Sequence, residues 1–129
     1  MSADLNDRFA KLNGFKVLSR SEGSAEVGAN PDETALNGAD VVHGGYLFAL
    51  ADYALALASN TDERLALSAS ATISYLLPCP LNDPLTARAE CIAKTDRGGM
   101  YDVFIGGASG KIYAVFHARA AYKPLKKEN

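Results

Sequence analysis

The run from His43 to Asn60, HGGYLFALADYALALASN, constrains the fold more than any other part of the chain. Its length and lack of strand-type alternation predict one long helix, opening on a glycine pair and stopping near Asn60-Thr61-Asp62. Between Tyr46 and Ala58 the ionisable groups are two phenols and the carboxylate of Asp52. A helix apolar on all sides is normally buried. A carboxylate carried inside with it is costly unless something compensates it, so such acids are candidates for catalytic work. A place at the helix edge, meeting water or a surface cation, is the structural alternative for Asp52.

The segments around this helix set the class. Leu5, Phe9 and Leu12 are spaced like one face of a short helix that Gly14 would end. Strands are expected at 15–18 and 24–29, with Gly23 turning between them, and 30–40 reads as a polar loop. After the long helix come strands at 67–77, 85–94, 101–105 and 111–122. Pro78 and Pro80 end the first of these, and Arg97-Gly98-Gly99 and 106–110 turn the chain between the later ones. The order predicts an α+β fold, a single domain over 1–129, with the helix lying on one face of a curled antiparallel sheet. One small sheet offers too little cover for a helix apolar on every side, which hints at a second copy of the chain.

Composition narrows the partners. The 129 residues suit one core, and a net charge of −2 gives no basic surface for nucleic acid. The segment MSADLNDR lacks the apolar centre of a secretory leader, and the apolar helix is too short to span a membrane. A cytoplasmic location and reduced thiols at Cys79 and Cys91 are expected. Neither cysteine has zinc-site spacing, so no metal is expected, and no Gly-x-Ser-x-Gly elbow is present. His117, beside Phe116 in the last strand, reads as structural.

The chemistry concentrates at His43-Gly44-Gly45 and Asp52. Paired glycines let a ligand approach the backbone, and the first helical turn offers unpaired N–H groups with partial positive charge. Such donors suit a carbonyl oxygen that becomes an oxyanion during acyl transfer. Asp52 lies eight residues beyond Gly44, roughly 12 Å along a helix. One carbonyl cannot touch both in the same chain, so joint action requires a site shared by two chains. A two-fold dimer with antiparallel helices meets that need and creates two equal sites. In such a site Asp52 would attack the acyl carbon or activate a water. Asn37 would donate to substrate or water, or simply shape an Asn-Gly turn. His43 would orient the loop by bonding to backbone, or act as a base.

Several stretches together resemble the hotdog-fold acyl-CoA thioesterases, most nearly the phenylacetic-acid-degradation (PaaI) type. They are Leu36-Asn37-Gly38, His43-Gly44-Gly45, Phe48-Ala49-Leu50-Ala51-Asp52, Ala58 to Asn60, Leu85-Thr86-Ala87, Tyr101-Asp102-Val103 and Ala114-Val115-Phe116. The resemblance implies a sheet of five to six antiparallel strands wrapped around one long central helix. It implies hydrolysis of acyl-CoA to free acid and CoA, with aryl or medium-chain acyl groups as the candidates. No cofactor is implied, because coenzyme A is part of the substrate. It also implies a homodimer assembling into a homotetramer, with sites at the dimer interface. Asp52 corresponds to the nucleophile or general base, Gly44 to the backbone donor, Asn37 to the residue positioning water or substrate, and His43 to a support. Gly45 shares the close backbone approach. Tyr46 and Tyr53 depart from the family pattern and either line the acyl pocket or pack in the core. Arg97, with Arg88, Lys94, Lys123, Lys126 and Lys127, is a candidate for the CoA phosphates. The same acid and histidine leave a dehydratase or hydratase acting on hydroxyacyl thioesters, or a non-catalytic acyl-CoA-binding protein, as alternatives.

Overall fold

The fold is organised around the helix that the apolar run forms, α2, Gly44–Ser59. Residues 4–124 are described in a computed structural model of the chain. A short helix α1 (Arg8–Leu12) precedes β1 (Lys16–Ser21) and β2 (Ser24–Ala29). After α2 come β3 (Arg64–Tyr75), β4 (Leu85–Thr95), β5 (Gly98–Gly107) and β6 (Ile112–Pro124). All six strands pair antiparallel in one sheet of order β1-β2-β4-β5-β6-β3. Register shifts at Ser68/Ser70 in β3 and Cys91/Ala93 in β4 mark irregularities of the bulge type. Bulges bend strands and increase twist, which helps a sheet curl around a helix.

α2 touches every strand. Leu47, Leu50, Ala51, Ala54, Leu57 and Ala58 are buried against residues such as Val27, Ala87, Val103 and Phe116. Each buried leucine contributes roughly 2 kcal/mol of transfer free energy. The cover is not complete. Gly45, Phe48, Ala49, Asp52 and Ala56 stay exposed or half-buried. Their spacing makes one stripe along the helix, and Asp52 lies in it.

Both ends of α2 are tied down. At its C-terminus Arg20 from β1 donates through Nε to the Leu57 carbonyl (2.8 Å) and through Nη2 to that of Asn60 (3.1 Å). A cation there also suits the negative end of the helix dipole. Asn60 donates to the carbonyls of Ala56 and Ala66 and accepts from the Ala66 N–H, so one side chain ends the helix and starts β3.

The N-terminal helix differs from expectation. The predicted apolar face of Leu5, Phe9 and Leu12 is mostly outside: Phe9 is 59% and Leu12 82% exposed, and the buried residue of α1 is Ala10. Asp7 caps the helix by accepting from the Ala10 N–H, which starts it three residues later than the apolar spacing suggests. Lys126 and Lys127 lie outside the described residues. Among the described residues no helix is long and apolar enough to cross a membrane.

Candidate active site

Backbone geometry at the start of α2 leaves one donor open. His43 is the N-cap, and its Nδ1 accepts from the Gly45 N–H at 2.9 Å. The N–H groups of Tyr46 and Leu47 donate to the His43 carbonyl at 3.0 and 3.3 Å. The Gly44 N–H has no acceptor among the described residues. It therefore keeps its donor capacity at the positive end of the helix. His43 acts here through backbone, and Gly45 is engaged in the cap.

Gly44 lines a cleft of about 470 Å³. Asn37, Val41, Val42, Leu47 and the 75–79 segment complete its walls. The loop wall is well fixed: the Val42 N–H donates to the Cys79 carbonyl and the His43 N–H to the Ala35 carbonyl. Asn37 Oδ1 accepts from the N–H groups of Ala39 (2.9 Å) and Val41 (3.3 Å), the pattern of an Asx turn. Both readings of Asn37 thus fit one side chain. Its oxygen shapes the turn, and its Nδ2, without an acceptor among the described residues, is left to donate. Cys79 in the same wall is buried, and burial pushes its thiol up to about 11. That keeps it protonated and a poor nucleophile at neutral pH.

Asp52 is not among the residues around this cleft. It is half-buried on the open stripe of α2 and bonds to Ser68, beside the β3 irregularity. Its pKa is raised: burial is the largest cause, the Ser68 hydrogen bond opposes it, and the Asp7 charge adds to it. A single chain therefore holds the carboxylate and the cleft apart, as their spacing along α2 requires.

The expected substrate-binding side chains are arranged differently. Tyr53 is buried, its ring stacked on Phe15 with centroids 6.2 Å apart, and its hydroxyl donates to the Asp4 carbonyl at 3.0 Å. Burial pushes that phenol up to about 12. Tyr46 meets the same Phe15 edge-on at 5.3 Å. Neither tyrosine is among the residues around the cleft of its own chain: Tyr53 turns to Phe15 and Asp4, while the Tyr46 hydroxyl is buried and within electrostatic reach of Asp32 and Cys79, behind the cleft wall. Arg97 is exposed in the β4–β5 turn. The adjoining Gly98 pairs with Ala121, and Ala121 with Leu67. Tyr75, at the cleft, is eight residues further along β3, roughly 26 Å. Within one chain Arg97 thus sits at the opposite end of the sheet. Arg88 is also exposed, and Lys94 lies 3.9 Å from Glu22. His117 pairs with Asp102 at 2.6 Å on the exposed surface, away from the cleft.

Two residues that sequence reasoning passed over belong to this region. Ser68 lies beside the Asp52 carboxylate and opposes the rise in its pKa. Tyr75 lines the cleft and donates to the Gly44 carbonyl at 2.9 Å. The alternation of β3 shows that these residues sit on a strand, but nothing local reveals which helical residue they meet.

A single long helix held in a six-stranded antiparallel sheet, with a donor-bearing glycine turn at its start, is the hotdog architecture. The chain belongs to the thioesterase superfamily, whose family model matches residues 39–109, and it is a thioesterase. It is 36% identical over 115 residues to the acyl-coenzyme A thioesterase PaaI of Escherichia coli K12, covering 89% of this chain and 82% of that one. It is 33% identical over 110 residues to a putative esterase of Archaeoglobus fulgidus, covering 85% of this chain and 71% of the relative. The structure of the E. coli PaaI protein superposes with a TM-score of 0.88 at 35% identity, covering 92% of this chain and 86% of that one. A variant of the phenylacetic acid degradation protein PaaI from Thermus thermophilus gives 0.84 at 34% identity, covering 89% of this chain and 98% of that one.

Proposed function

We propose that the protein hydrolyses acyl-CoA thioesters, with the Gly44 N–H of one protomer polarising the carbonyl and Asp52 of a second protomer attacking it or activating water. The observation that carries this reading is the pattern of the first turn of α2, where capping engages the donors of Gly45, Tyr46 and Leu47 and leaves that of Gly44 beside the cleft. Similarity to the E. coli acyl-coenzyme A thioesterase supports the substrate class. The apolar walls from Val41, Val42, Leu47, Leu76 and Leu77 suit an aryl or medium-chain acyl group, and Asn37 Nδ2 suits its carbonyl or a water.

The chemistry follows from the donors. The thioester oxygen accepts from Gly44 N–H and gains negative charge as the carbon becomes tetrahedral, which a fixed donor stabilises. In one route Asp52 takes a proton from water, the oxygen bonds to the acyl carbon, the C–S bond breaks, and the sulfur leaves as CoA thiol with that proton. In the other, Asp52 bonds to the carbon first, CoA leaves, and water then opens the mixed anhydride. Both start from ionised Asp52, and neither needs a cofactor.

A shared site needs an interface, and the sheet supplies a suitable edge. β3 is terminal in the sheet and twelve residues long. Leu65, Leu67 and Tyr75 on it are exposed. Unpaired edges of that length are normally covered. Antiparallel pairing of β3 with its two-fold copy would run the Tyr75 end of one chain toward the Ser68 half of the other, where Asp52 is held. Pairing of such dimers would give the tetramer.

Thiol release from short, medium-chain and aryl acyl-CoA, by wild type and Asp52→Asn, tests the reading. Wild-type release that disappears in the variant is expected. Equal rates would remove Asp52 from the mechanism, and conversion of a 3-hydroxyacyl-CoA without thiol release would reassign the protein to dehydration.

A further inference from the structure

We infer that Tyr75 is a positioning residue for the Gly44 donor; this rests on the reading of Gly44 as the group that polarises the thioester. Helix α2 opens on two glycines, the residues with the most backbone freedom to lose. First turns also fray readily. The Tyr75 hydroxyl crosses 31 residues of chain to donate to the Gly44 carbonyl at 2.9 Å. Its ring fills the space beside Gly44 so closely that an added Cβ would fall 2.8 Å from Oη and 2.9 Å from Cζ. Gly44 is not in the left-handed region, so its backbone angles do not demand a glycine. A side chain at position 44 would have to push the Tyr75 hydroxyl out of its hydrogen bond.

The tether has a direction. Tyr75 is the last residue of β3, and the chain continues from it into residues 76–79, which form the wall of the cleft facing the loop. That wall is held in turn, since the Leu76 N–H donates to the Tyr113 carbonyl at 2.8 Å. A hydroxyl fixed to the wall thus grips the peptide that follows the donor. The grip holds the Gly44 N–H open to the cleft when the oxyanion forms. Within the single chain Tyr75 is 51% exposed, and the hydrogen bond to Gly44 is its distinctive contact there.

Tyr75→Phe keeps the ring and removes the tether. The expected result is a loss of kcat of about tenfold, as for one hydrogen bond that matters in the transition state, with KM for the same acyl-CoA within about twofold. Amide hydrogen exchange at 44–47 should quicken, while exchange in β4 and β5 stays as in wild type. Tyr75→Leu, which also reshapes the wall, should raise KM in addition. Unchanged kcat, a loss confined to KM, or unaltered exchange at 44–47 would each overturn the assignment. The exchange arm needs no substrate. Inactivity of the wild type toward thioesters would overturn the reading of Gly44 and, with it, the catalytic part of this inference, while exchange still decides whether the tether exists.

Discussion

At Asp52 two demands oppose one another. Burial at the α2–β3 junction raises its pKa, the Ser68 hydrogen bond holds it back, and Asp7 pushes it further up. Both of the proposed routes need the carboxylate. Activity should therefore rise with pH along a limb lying above the ordinary carboxylate value, and Ser68→Ala, which removes the opposing bond, should move that limb further up. Stability runs the other way. With the folded pKa above the unfolded one, the favourable contribution is complete below the unfolded value and is lost as pH rises through the folded value. Ionised Asp52 thus opposes folding at neutral pH. Asp52→Asn should lower kcat/KM by about 10²–10⁴-fold, the range of a positioned base, yet raise Tm at neutral pH, with the gain fading toward about pH 4. Thermal melts of both proteins across that range, beside a pH–rate profile, check it; a lower Tm for the variant at neutral pH would contradict the account. His43, Gly44 and Asp52 stand out in the sequence because their chemistry is local: a cap, an open turn and an acid in one helix. Tyr75 and Ser68 do not stand out, because their meaning lies in contacts across 31 and 16 residues.

Elements were legible where one residue type decides the backbone. Gly14 and Gly23 take positive φ at the ends expected for them, and Asn60 closes α2. Strand limits were harder. β3 starts at Arg64 rather than 67 and stops at Tyr75, since Leu76 and Leu77 leave the strand to form the cleft wall. β5 extends to Gly98 and Gly107, because register with β4 and β6 overrides the poor strand preference of glycine. The β5–β6 turn depends on another acid. Asp83, just before β4, accepts from the Ser109 hydroxyl (2.5 Å), the Ser109 N–H (2.9 Å) and the Tyr113 hydroxyl. These bonds, Ser109's hydroxyl first, hold its pKa below the usual carboxylate value. The sign is opposite to that of Asp52. Stability from Asp83 is present above the unfolded pKa and lost as pH falls through the folded one. Asp83→Asn should lower the urea midpoint at neutral pH, and the gap to wild type should close in acid, below the ordinary carboxylate value. An equal gap at both pH values would mean that Asp83 acts by packing alone.

At the scale of the whole molecule, the parts of the proposed site do not meet within one chain. Cleft and donor gather at one end of α2, the acid sits two turns along on the open stripe, and the sheet ends on an uncovered strand. If a two-fold dimer completes the site, each site uses Asn37 and Gly44 from one chain and Asp52 from the other. Two inactive variants should then rescue each other. Asp52→Asn supplies a sound cleft and Asn37→Ala a sound acid. After unfolding and refolding an equal mixture, about half of the dimers are mixed, and each mixed dimer has one intact and one doubly damaged site. Activity should therefore recover to about a quarter of that of wild type refolded alongside, while each variant refolded alone stays low. A site built within one chain would instead give the mean of the two variants. Substituting Leu67 on the edge strand by Arg should shift the wild-type protein toward monomer and cost activity without altering Asp52 or Gly44, which separates loss of the partner from loss of the chemistry.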